Sequence, residues 1–433
     1  MIFKKHLRPA AITAIGFLVL ILSGACLLSL PFSVRDGVRL SFLDAFFTAT
    51  SSVCVTGLVT VDPFDTFTGF GQTVIALLIQ AGGLGISLIG AAFMLALRKR
   101  IGLNERLLLK ESINLGSFEG LLMLLKKIFL ITIAFELSGA VLSFFSFYPQ
   151  YSFWRAVQIS VFHGISAFNN AGFDILGGMK SLTDYSEDVL LNIVTCTLIF
   201  FGGIGFLVIH DLTSAIKFRT VKKLRFHTKV ALFMSLGLIL AGTLLLKLTG
   251  DFTWLESLFN SVSARTAGFA THNLGAFPSA ALLVMIALMF IGASPGGTGG
   301  GIKTTTLFCA LSSTGEAAGL HPGSFFKYKI ARNTIVRSSQ IITLAFTVVI
   351  VGTFLLLFFE PDMSFSQILF EVVSAFGTVG LSCGITPELS SASRIVLIFI
   401  MYIGRIGVLT VATMWHSEDD NTFSYPEGYL SVG

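Results

Sequence analysis

SAFNNAGF, at residues 166–173, is one of four copies of a short motif that decides the fold of this chain. The other copies are SSVCVTGL at 51–58, SARTAGF at 263–269 and SAFGTVGL at 374–381. Each copy follows an aromatic-rich stretch and ends in glycine and a bulky apolar residue, and the four glycines are 115, 96 and 112 residues apart. A small unit that recurs at long, similar spacing indicates a protein built from repeats.

The composition places these repeats in a membrane. Of the 433 residues, 54% are hydrophobic and only 12% are charged, whereas soluble domains carry about 25% charged residues. No soluble fold buries so much apolar surface, so much of it must face lipid. The net charge of +5 then describes the loops between spans, which disfavours a nucleic-acid binder. The five cysteines form no CxxC pair and are expected to be small packing residues.

Eight apolar segments are each long enough for a span of about 20 residues. They lie at 9–30, 70–97, 121–147, 188–216, 229–249, 279–311, 338–359 and 392–415. Because the first has no clear cleavage site, we interpret it as a retained span rather than a signal peptide. Four shorter stretches lead into the motif copies and are typical of re-entrant helices. They lie at 41–53, 153–167, 253–264 and 365–376.

The predicted fold is an all-α membrane protein with eight transmembrane helices. Four parallel repeats, each a span, a re-entrant pore helix and a second span, surround a pseudo-four-fold pore. Of the 29 basic residues, 20 fall in linkers on one side and seven on the other. This bias predicts a multi-pass plasma-membrane protein with cytoplasmic termini and motif copies near the outer face. The predicted units are repeats at 1–110, 111–222, 223–325 and 326–416, and a cytoplasmic tail at 417–433.

The motif copies predict a selectivity filter. Glycine permits positive φ, and no Asp or Glu falls within the four residues before any of the glycines. A ring of neutral backbone carbonyls suits K⁺, whose hydration is cheaper to remove than that of Na⁺, Mg²⁺ or Ca²⁺. The copies differ in sequence, so we expect less sharp selectivity than in a symmetric tetramer. The candidate K⁺-binding residues are Cys54, Val55, Thr56, Gly57, Asn169, Asn170, Ala171, Gly172, Arg265, Thr266, Ala267, Gly268, Gly377, Thr378, Val379 and Gly380.

The second span of the third repeat is interrupted by GASPGGTGGGIK at 292–303. Proline and serial glycines do not continue a helix, so the loop must line water at membrane depth. We predict that it gates the pore below the filter. A phosphate-binding P-loop is disfavoured because Ile302 separates Gly301 from Lys303 and no strand precedes the loop. The predicted gate comprises Gly296, Gly297, Thr298, Gly299, Gly300, Gly301, Lys303 and Arg405.

Arg405 replaces a glycine of related sequences in two other repeats, Gly82-Gly83-Leu84-Gly85 and Gly202-Gly203-Ile204-Gly205. A charge within a span costs roughly 3 kcal/mol on insertion scales, so it should face the pore or a partner. In the pore, it would repel cations and raise a central barrier. The alternative is an ion pair with a carboxylate on another span, for which Glu136 is the candidate.

Together, the four filter copies, the mid-membrane SPGGTGGGIK loop and Arg405 resemble the Trk/Ktr/HKT superfamily of cation transporters. The resemblance extends from Pro9 to about Trp415 and is greatest to the Ktr membrane subunit, since Trk-type subunits usually carry two further N-terminal spans. In this superfamily, glycine rather than serine at the first filter position marks K⁺-selective members, and this chain has Gly57.

The resemblance implies the ion-translocating subunit of a potassium uptake system. It also implies a homodimer with one pore per subunit and a cytosolic nucleotide-binding ring of RCK type. Na⁺ is implied as a possible activator, although no Na⁺ motif is found in the sequence. The chain carries no motif for an organic cofactor and no metal site beyond K⁺. The alternative within the class is a Na⁺ or weakly selective cation channel or transporter.

Two functions of other classes are disfavoured. A membrane enzyme needs clustered catalytic groups or metal ligands, and the sequence has neither HExxH nor paired carboxylates. A proton-coupled transporter is expected to have inverted repeats and mid-membrane acids, whereas the four repeats predicted here are parallel.

Asp44, Glu256 and Glu371 fall in the predicted pore helices, where they either anchor those helices or attract cations. The basic linkers have two interpretations. Their positive charge either reflects the membrane topology alone or forms a surface for an acidic partner or anionic lipid. They lie at 98–127, 217–229 and 327–337.

Overall fold

The computed structural model describes residues 9–85, 88–90, 121–217, 224–319 and 324–413. Several predicted features lie outside the described residues. They are the N-terminal basic residues, most of the linker at 98–127, the residues 218–223, the repeat boundaries near 110 and 222, and the tail at 417–433.

The described residues fold almost entirely into helices, and we label the longer ones α1 to α15. They are α1 (Pro9–Leu28), α2 (Phe42–Cys54), α3 (Gly69–Leu84), α4 (Leu121–Phe147), α5 (Phe153–Phe168), α6 (Val189–Ile204), α7 (Phe206–Lys217), α8 (Phe226–Thr249), α9 (Trp254–Ser263), α10 (Ser279–Phe290), α11 (Thr304–Ala317), α12 (Arg332–Phe359), α13 (Phe365–Gly377), α14 (Ser391–Ile406) and α15 (Val408–Thr413). Single-turn helices lie at Pro31–Ser33, Pro63–Thr66, Thr183–Tyr185, Leu274–Ala276 and Thr386–Glu388. One antiparallel hairpin pairs β1 (Ser324–Phe325) with β2 (Tyr328–Lys329).

The helices follow the predicted order within each repeat. A long apolar helix (α1, α4, α8 or α12) comes first, a short helix (α2, α5, α9 or α13) leads into the motif copy, and a further helix follows. In the part of the chain that the structure describes, those four long helices have the length and apolar character to cross a membrane. The bent pair α6 and α7 raises the number to five. A mainly helical, membrane-type fold is thus confirmed, and eight complete spans stay a prediction.

A glycine in each long helix receives a side chain from the helix that follows the filter. A Cβ added to any of these glycines would lie 2.5–2.7 Å from a methyl carbon of that side chain, too close for two carbon atoms. The pairs are Gly24–Leu78, Gly139–Leu198, Gly242–Leu288 and Gly352–Ile400. Close packing at small residues is the usual way in which helices associate in lipid. The recurrence of one contact in all four repeats supports a common structure for them.

Three of the helices that follow the motif copies, α3, α6 and α14, end before a glycine of positive φ. α6 stops before Gly205, whose φ is 100°, and α7 then runs at 102° to it. α14 stops in the same way before Gly407, whose φ is 97°. The sequence predicted continuous apolar segments over 188–216 and 392–415, but the structure interrupts both. The last glycine of GGIG and GRIG causes the interruption, because a positive φ is incompatible with a right-handed helix.

The acidic residues of the short helices before the motif copies accept local hydrogen bonds. Asp44 and Glu256 lie in the first turns of α2 and α9, where each carboxylate accepts a hydrogen bond from its N-cap residue. Glu371 is fully buried in α13 and accepts hydrogen bonds from Ser382 Oγ (2.6 Å) and Thr386 Oγ1 (2.9 Å). It therefore fixes the segment that follows the last motif copy.

Side-chain bonds connect one repeat to the next. Gln158 Nε2 of α5 donates to Gln72 Oε1 of α3 at 2.9 Å. Arg394 Nη1 of α14 donates to Asp44 Oδ1 of α2 at 2.7 Å, and these side chains are only 19% and 14% exposed. Arg394 and Gln72 occupy matching positions, each 13 residues before the glycine that ends its helix. The Arg394–Asp44 pair joins the fourth repeat to the first.

We predict that the Asp44–Arg394 pair stabilises the assembled repeats. Asp44→Asn and Arg394→Gln should each lower the free energy of unfolding by about 1–3 kcal/mol, because each leaves a partly buried group without its charged partner. The double variant should lose less than the sum, with a coupling of about 1 kcal/mol. Thermal unfolding of the purified protein in detergent measures these losses.

Asp184→Asn is the matched control for this prediction. Asp184 and Lys180 lie 3.7 Å apart, but their side chains are 64% and 59% exposed. Exposed pairs contribute about 0–1 kcal/mol, so this variant should unfold with the wild type. Strict additivity of the Asp44 and Arg394 losses would contradict the prediction.

Candidate functional site

The four motif copies share an unusual backbone. The residue two before each glycine is left-handed, with φ between 49° and 74°, and so is the glycine, with φ between 68° and 95°. The left-handed residues before the glycines are Val55, Asn170, Thr266 and Thr378. Three of them are β-branched, for which this conformation is a genuine outlier. Strain of this kind persists where the surroundings impose it and is often found at functional sites.

The intervening residues, Thr56, Ala171, Ala267 and Val379, lack a positive φ. Each loop therefore alternates in handedness over three residues. Alternating handedness allows successive peptide carbonyls to point toward the same side, which is the arrangement that a carbonyl site for a cation requires. The sequence indicated positive φ only for the glycines and gave no signal for the residues two before them.

The four glycines form a closed cycle. A Cβ added to Gly57 would lie 3.2 Å from the Cα of Gly172, and one added to Gly172 would lie 2.8 Å from that of Gly268. The corresponding distance from Gly268 to Gly380 is 3.2 Å, and that from Gly380 back to Gly57 is 2.8 Å. At each step, the nearest obstacle is the carbonyl oxygen that precedes the next glycine. We call these four glycines and the residues just before them the filter ring.

A serine at the start of each copy holds the loop. The backbone oxygens of Ser51, Ser166, Ser263 and Ser374 accept from the N–H just before each glycine at 2.7–3.0 Å. Ser51 Oγ and Ser374 Oγ also accept from the N–H groups of Gly57 and Gly380, at 3.0 and 3.1 Å. These bonds satisfy carbonyls at the ends of the pore helices. A serine begins every motif copy, so the repeat contained a signal for this role in holding the loop, although the role was not predicted.

The residues three before each glycine carry side chains that differ completely: Cys54, Asn169, Arg265 and Gly377. Arg265 is one of the predicted K⁺-binding residues. The structure instead buries its guanidinium behind the loop, where it donates to Ser235 O at 3.0 Å and to Gly292 O at 3.4 Å. The backbone of Arg265 remains beside the filter ring, whereas the positive charge of its side chain is bound to these two backbone oxygens.

The segment at 292–303, which we call the Gly-rich loop, lies directly against the filter ring. Gly300 N donates to Thr378 Oγ1 at 2.9 Å. A Cβ added to Gly299 would lie 2.7 Å from the Cβ of Thr266, so a side chain there would collide with the third motif copy. The loop is also bonded to α6, since Ser294 N donates to Gly203 O at 2.9 Å. The helix that follows the third motif copy is thus interrupted between Phe290 and Thr304, and the interrupting loop lies against the filter ring.

Two cavities flank this arrangement. The four glycines of the filter ring line a cavity of about 420 Å³, the filter-side cavity. The Gly-rich loop, with Arg405 and Lys303, lines a larger one of about 1040 Å³, the loop-side cavity. The filter ring and the Gly-rich loop thus lie between two spaces large enough for hydrated ions.

Arg405 and Lys303 are bound to backbone oxygens beside the loop-side cavity. The guanidinium of Arg405 donates to Thr298 O of the Gly-rich loop, to Gly82 O, and to Gly83 O at 3.2 Å. Lys303 Nζ donates to Gly299 O at 2.6 Å. The alternative that Arg405 pairs with Glu136 does not hold, because the carboxylate of Glu136 accepts from Asn169 Nδ2 at 3.0 Å instead.

Two carboxylates line the filter-side cavity. Asp174, two residues beyond Gly172, lines it together with Asp62 and His272. Burial raises the pKa of Asp174 to about 7; the N–H of Leu176 opposes this shift, and the charge of Asp62 adds to it. Asp62 is already engaged, since it accepts from the N–H groups of Phe64, Asp65 and Met179. Asp174 is therefore a carboxylate that changes its charge near neutral pH at the mouth of the filter ring.

Comparison with known proteins identifies the family. The TrkH family, described as cation transport protein, matches residues 9–425. The chain belongs to the TrkH cation transport family. It is 38% identical to the Ktr system potassium uptake protein B of Bacillus subtilis, over 98% of this chain and 97% of that protein. The potassium/sodium uptake protein NtpJ of Enterococcus hirae is 36% identical, over 99% and 98% of the two chains.

A solved structure supports the same fold. The potassium transporter TrkH from Vibrio parahaemolyticus matches with a TM-score of 0.73, over 96% of this chain and 88% of that one, at 20% identity. The resemblance drawn from the motif copies, the Gly-rich loop and Arg405 is thus confirmed. A member of the TrkH cation transport family is a multi-pass membrane protein, in agreement with the apolar helices.

We predict that transport through this TrkH family member depends on the charge of Asp174. Because the pKa of Asp174 is raised to about 7, its carboxylate is charged above that pH and neutral below it. Lowering the pH on the filter-side face from 8 to 6 should raise the half-saturating cation concentration about fivefold, since one charge near the mouth contributes about 1 kcal/mol. Flux into proteoliposomes at several pH values measures it.

Asp174→Asn should remove this pH dependence and keep the half-saturating concentration at its high value. His272 lines the same cavity, with its Nε2 3.2 Å from Glu256 Oε1, so His272→Gln is the control and should retain the dependence. A pH response that survives in Asp174→Asn would contradict the assignment.

Proposed function

We propose that this chain is the ion-translocating subunit of a potassium uptake system. The observation that carries the proposal is the closed filter ring, whose ion-facing groups are backbone carbonyls with no carboxylate among them. Neutral carbonyls replace the hydration shell of K⁺ at a lower free energy than that of Na⁺. The potassium uptake named for the Bacillus subtilis and Enterococcus hirae relatives supports this choice of ion.

In the proposed arrangement, eight spans form four parallel repeats around one pore. The helices after the filter, which break near Gly85, Gly205 and Gly407, would complete the crossing with the segments that follow them. The filter-side cavity would face the outside and the loop-side cavity the cytoplasm, as the distribution of basic residues predicts. K⁺ would lose water at the filter ring and regain it in the loop-side cavity.

The Gly-rich loop and Arg405 are proposed to form the gate. The loop lies against Thr266 and Thr378, and Arg405 is bound to Thr298 O within it. Permeation would require the loop to move away from the filter ring, and the positive charges of Arg405 and Lys303 would raise the barrier for a cation. Glycines give the loop the backbone freedom that such a movement needs.

The proposed assembly is a homodimer with a cytosolic RCK-type nucleotide-binding ring, in a plasma membrane, with Na⁺ as a possible activator. The Ktr names of the relatives denote a system rather than a single chain, which supports a further subunit. The alternative function is Na⁺ or weakly selective cation transport. It is favoured by the name of the Enterococcus hirae relative, which includes sodium, and by the unequal motif copies.

The first test measures selectivity in proteoliposomes with K⁺, Rb⁺, Na⁺ and Li⁺. Wild type should prefer K⁺ and Rb⁺, and Gly57→Ser should reduce the K⁺-to-Na⁺ flux ratio at least about tenfold, or about 1.4 kcal/mol. The reason is that φ of Gly57 is 95° and a Cβ there would collide with Ala171 O. Gly37→Ser is the matched control, because Gly37 also has a positive φ (83°) but nothing within 4 Å. Equal passage of Na⁺ in the wild type would favour the alternative.

The second test concerns the gate. Arg405→Ala should increase K⁺ flux about tenfold, because it removes a charge from the pathway and a bond to the Gly-rich loop, together about 1.4 kcal/mol of barrier. Arg405→Lys retains the charge and should stay closer to wild type. Arg394→Gln, in the same helix but bound to Asp44, controls for general loosening of α14. An unchanged rate in a folded Arg405→Ala protein would argue against the proposed gate.

A further inference from the structure

One carboxylate lies in the middle of a long apolar helix and has no role in the proposed pathway. Glu136 is half-buried in α4, and its neighbours Ile133 and Leu137 are 51% and 58% exposed on the apolar surface. A carboxyl group at such a depth is costly and is commonly held by a polar partner. The residue that binds the carboxyl group of Glu136 therefore indicates the role of Glu136.

The partner is the second motif copy. Asn169, the residue that follows α5, is fully buried, and its Nδ2 lies within hydrogen-bond distance of three acceptors: Glu136 Oε1 (3.0 Å), Gln80 Oε1 (2.9 Å) and Ile165 O (2.9 Å). Asn169 immediately precedes the left-handed Asn170 and the filter residue Ala171. Three helices therefore meet at one amide: α3 of the first repeat, and α4 and α5 of the second.

The other repeats have no such group. Glu136 lies three residues before Gly139, the glycine of α4 that packs against the second helix of its repeat. The matching residues in the other long helices, three before Gly24, Gly242 and Gly352, are all apolar. They are Ile21, Ile239 and Val349. A carboxylate at this position is thus specific to the second repeat, where the residue three before the filter glycine is an asparagine.

The amide of Asn169 also lies close to the backbone that binds Arg405. A Cβ added to Gly83 would collide with the Asn169 side chain, so α3 approaches this amide as closely as a glycine allows. The backbone oxygen of the same glycine accepts a hydrogen bond from Arg405 at 3.2 Å. Asn169 is therefore held between the filter ring, the backbone that binds Arg405, and the carboxylate of Glu136.

We propose that Glu136 is a positioning residue for the filter: by holding Asn169 from behind, it fixes the second motif copy and contributes to the preference for K⁺ over Na⁺. The inference rests on the proposed function. Glu136 acts as a hydrogen-bond acceptor for the amide of Asn169, so a neutral side chain of the same shape and acceptor capacity serves equally. The second copy lacks the Ser Oγ-to-glycine bond seen for Gly57 and Gly380, and the Glu136–Asn169 bond supplies its support.

The experiment measures K⁺ and Na⁺ flux through the full chain in proteoliposomes, with thermal unfolding as a check on folding. Glu136→Leu should lower the K⁺-to-Na⁺ flux ratio about tenfold, in line with the loss of one buried hydrogen bond to the amide of Asn169. Glu136→Gln retains an acceptor oxygen and should stay within about twofold of wild type. Asn169→Ala should match Glu136→Leu, and the double variant should be no worse than either alone.

Glu360→Leu is the control for removing a carboxylate. Glu360 lies beyond α12 and accepts a hydrogen bond from Ser390 N at 2.7 Å, away from the filter ring, so the flux ratio should not change. A wild-type ratio in a folded Glu136→Leu protein, or additive effects of Glu136→Leu and Asn169→Ala, would overturn the inference. If the wild-type protein itself shows no preference for K⁺, the proposed function fails instead, and the two failures are thus distinguished.

Discussion

The rest of the structure depends on one steric constraint, the closure of four glycines into a cycle. Each of Gly57, Gly172, Gly268 and Gly380 leaves no room for a side chain, because the carbonyl that precedes the next glycine occupies that space. Backbones approach this closely only when the helices behind them are fixed. The glycine–leucine and glycine–isoleucine contacts of the long helices, the serines at the pore-helix ends and the Asp44–Arg394 pair all hold the helices in place around this cycle.

Around a cycle of similar backbones, the supports behind it are unequal. At the position three before each glycine, Asn169 reaches Glu136, Arg265 reaches Ser235, and Gly377 has no side chain at all. The backbone therefore keeps a near-common conformation, while the residue behind it differs from repeat to repeat. This division agrees with the physics of a carbonyl site: the ion interacts with peptide dipoles, so the side chains behind them are free to vary.

The Gly-rich loop makes the structure of the third repeat different from that of the others. In the other repeats, the helix after the filter ends at a single glycine, whereas α10 ends at Phe290 and the chain then crosses under the filter ring before α11 begins at Thr304. The loop touches the third and fourth motif copies and the helix end of the second repeat. Arg405 connects it to the backbone of the first. All four repeats thus meet at the Gly-rich loop, whose glycines allow more backbone conformations than other residues do.

The sequence by itself determined the membrane setting, the four repeats, the glycines of the filter ring and the broken third repeat, because hydrophobic length, repeated motifs and runs of glycine are local properties. The helix breaks at Gly205 and Gly407 also follow from local patterns, GGIG and GRIG, although they were not predicted. Only the tertiary structure decided which side chains face the ring. It turned Arg265 away, bound Arg405 to backbone oxygens and joined Glu136 to Asn169 rather than to Arg405. These contacts join residues that are 30, 33 and 322 positions apart in the chain, which no local pattern encodes.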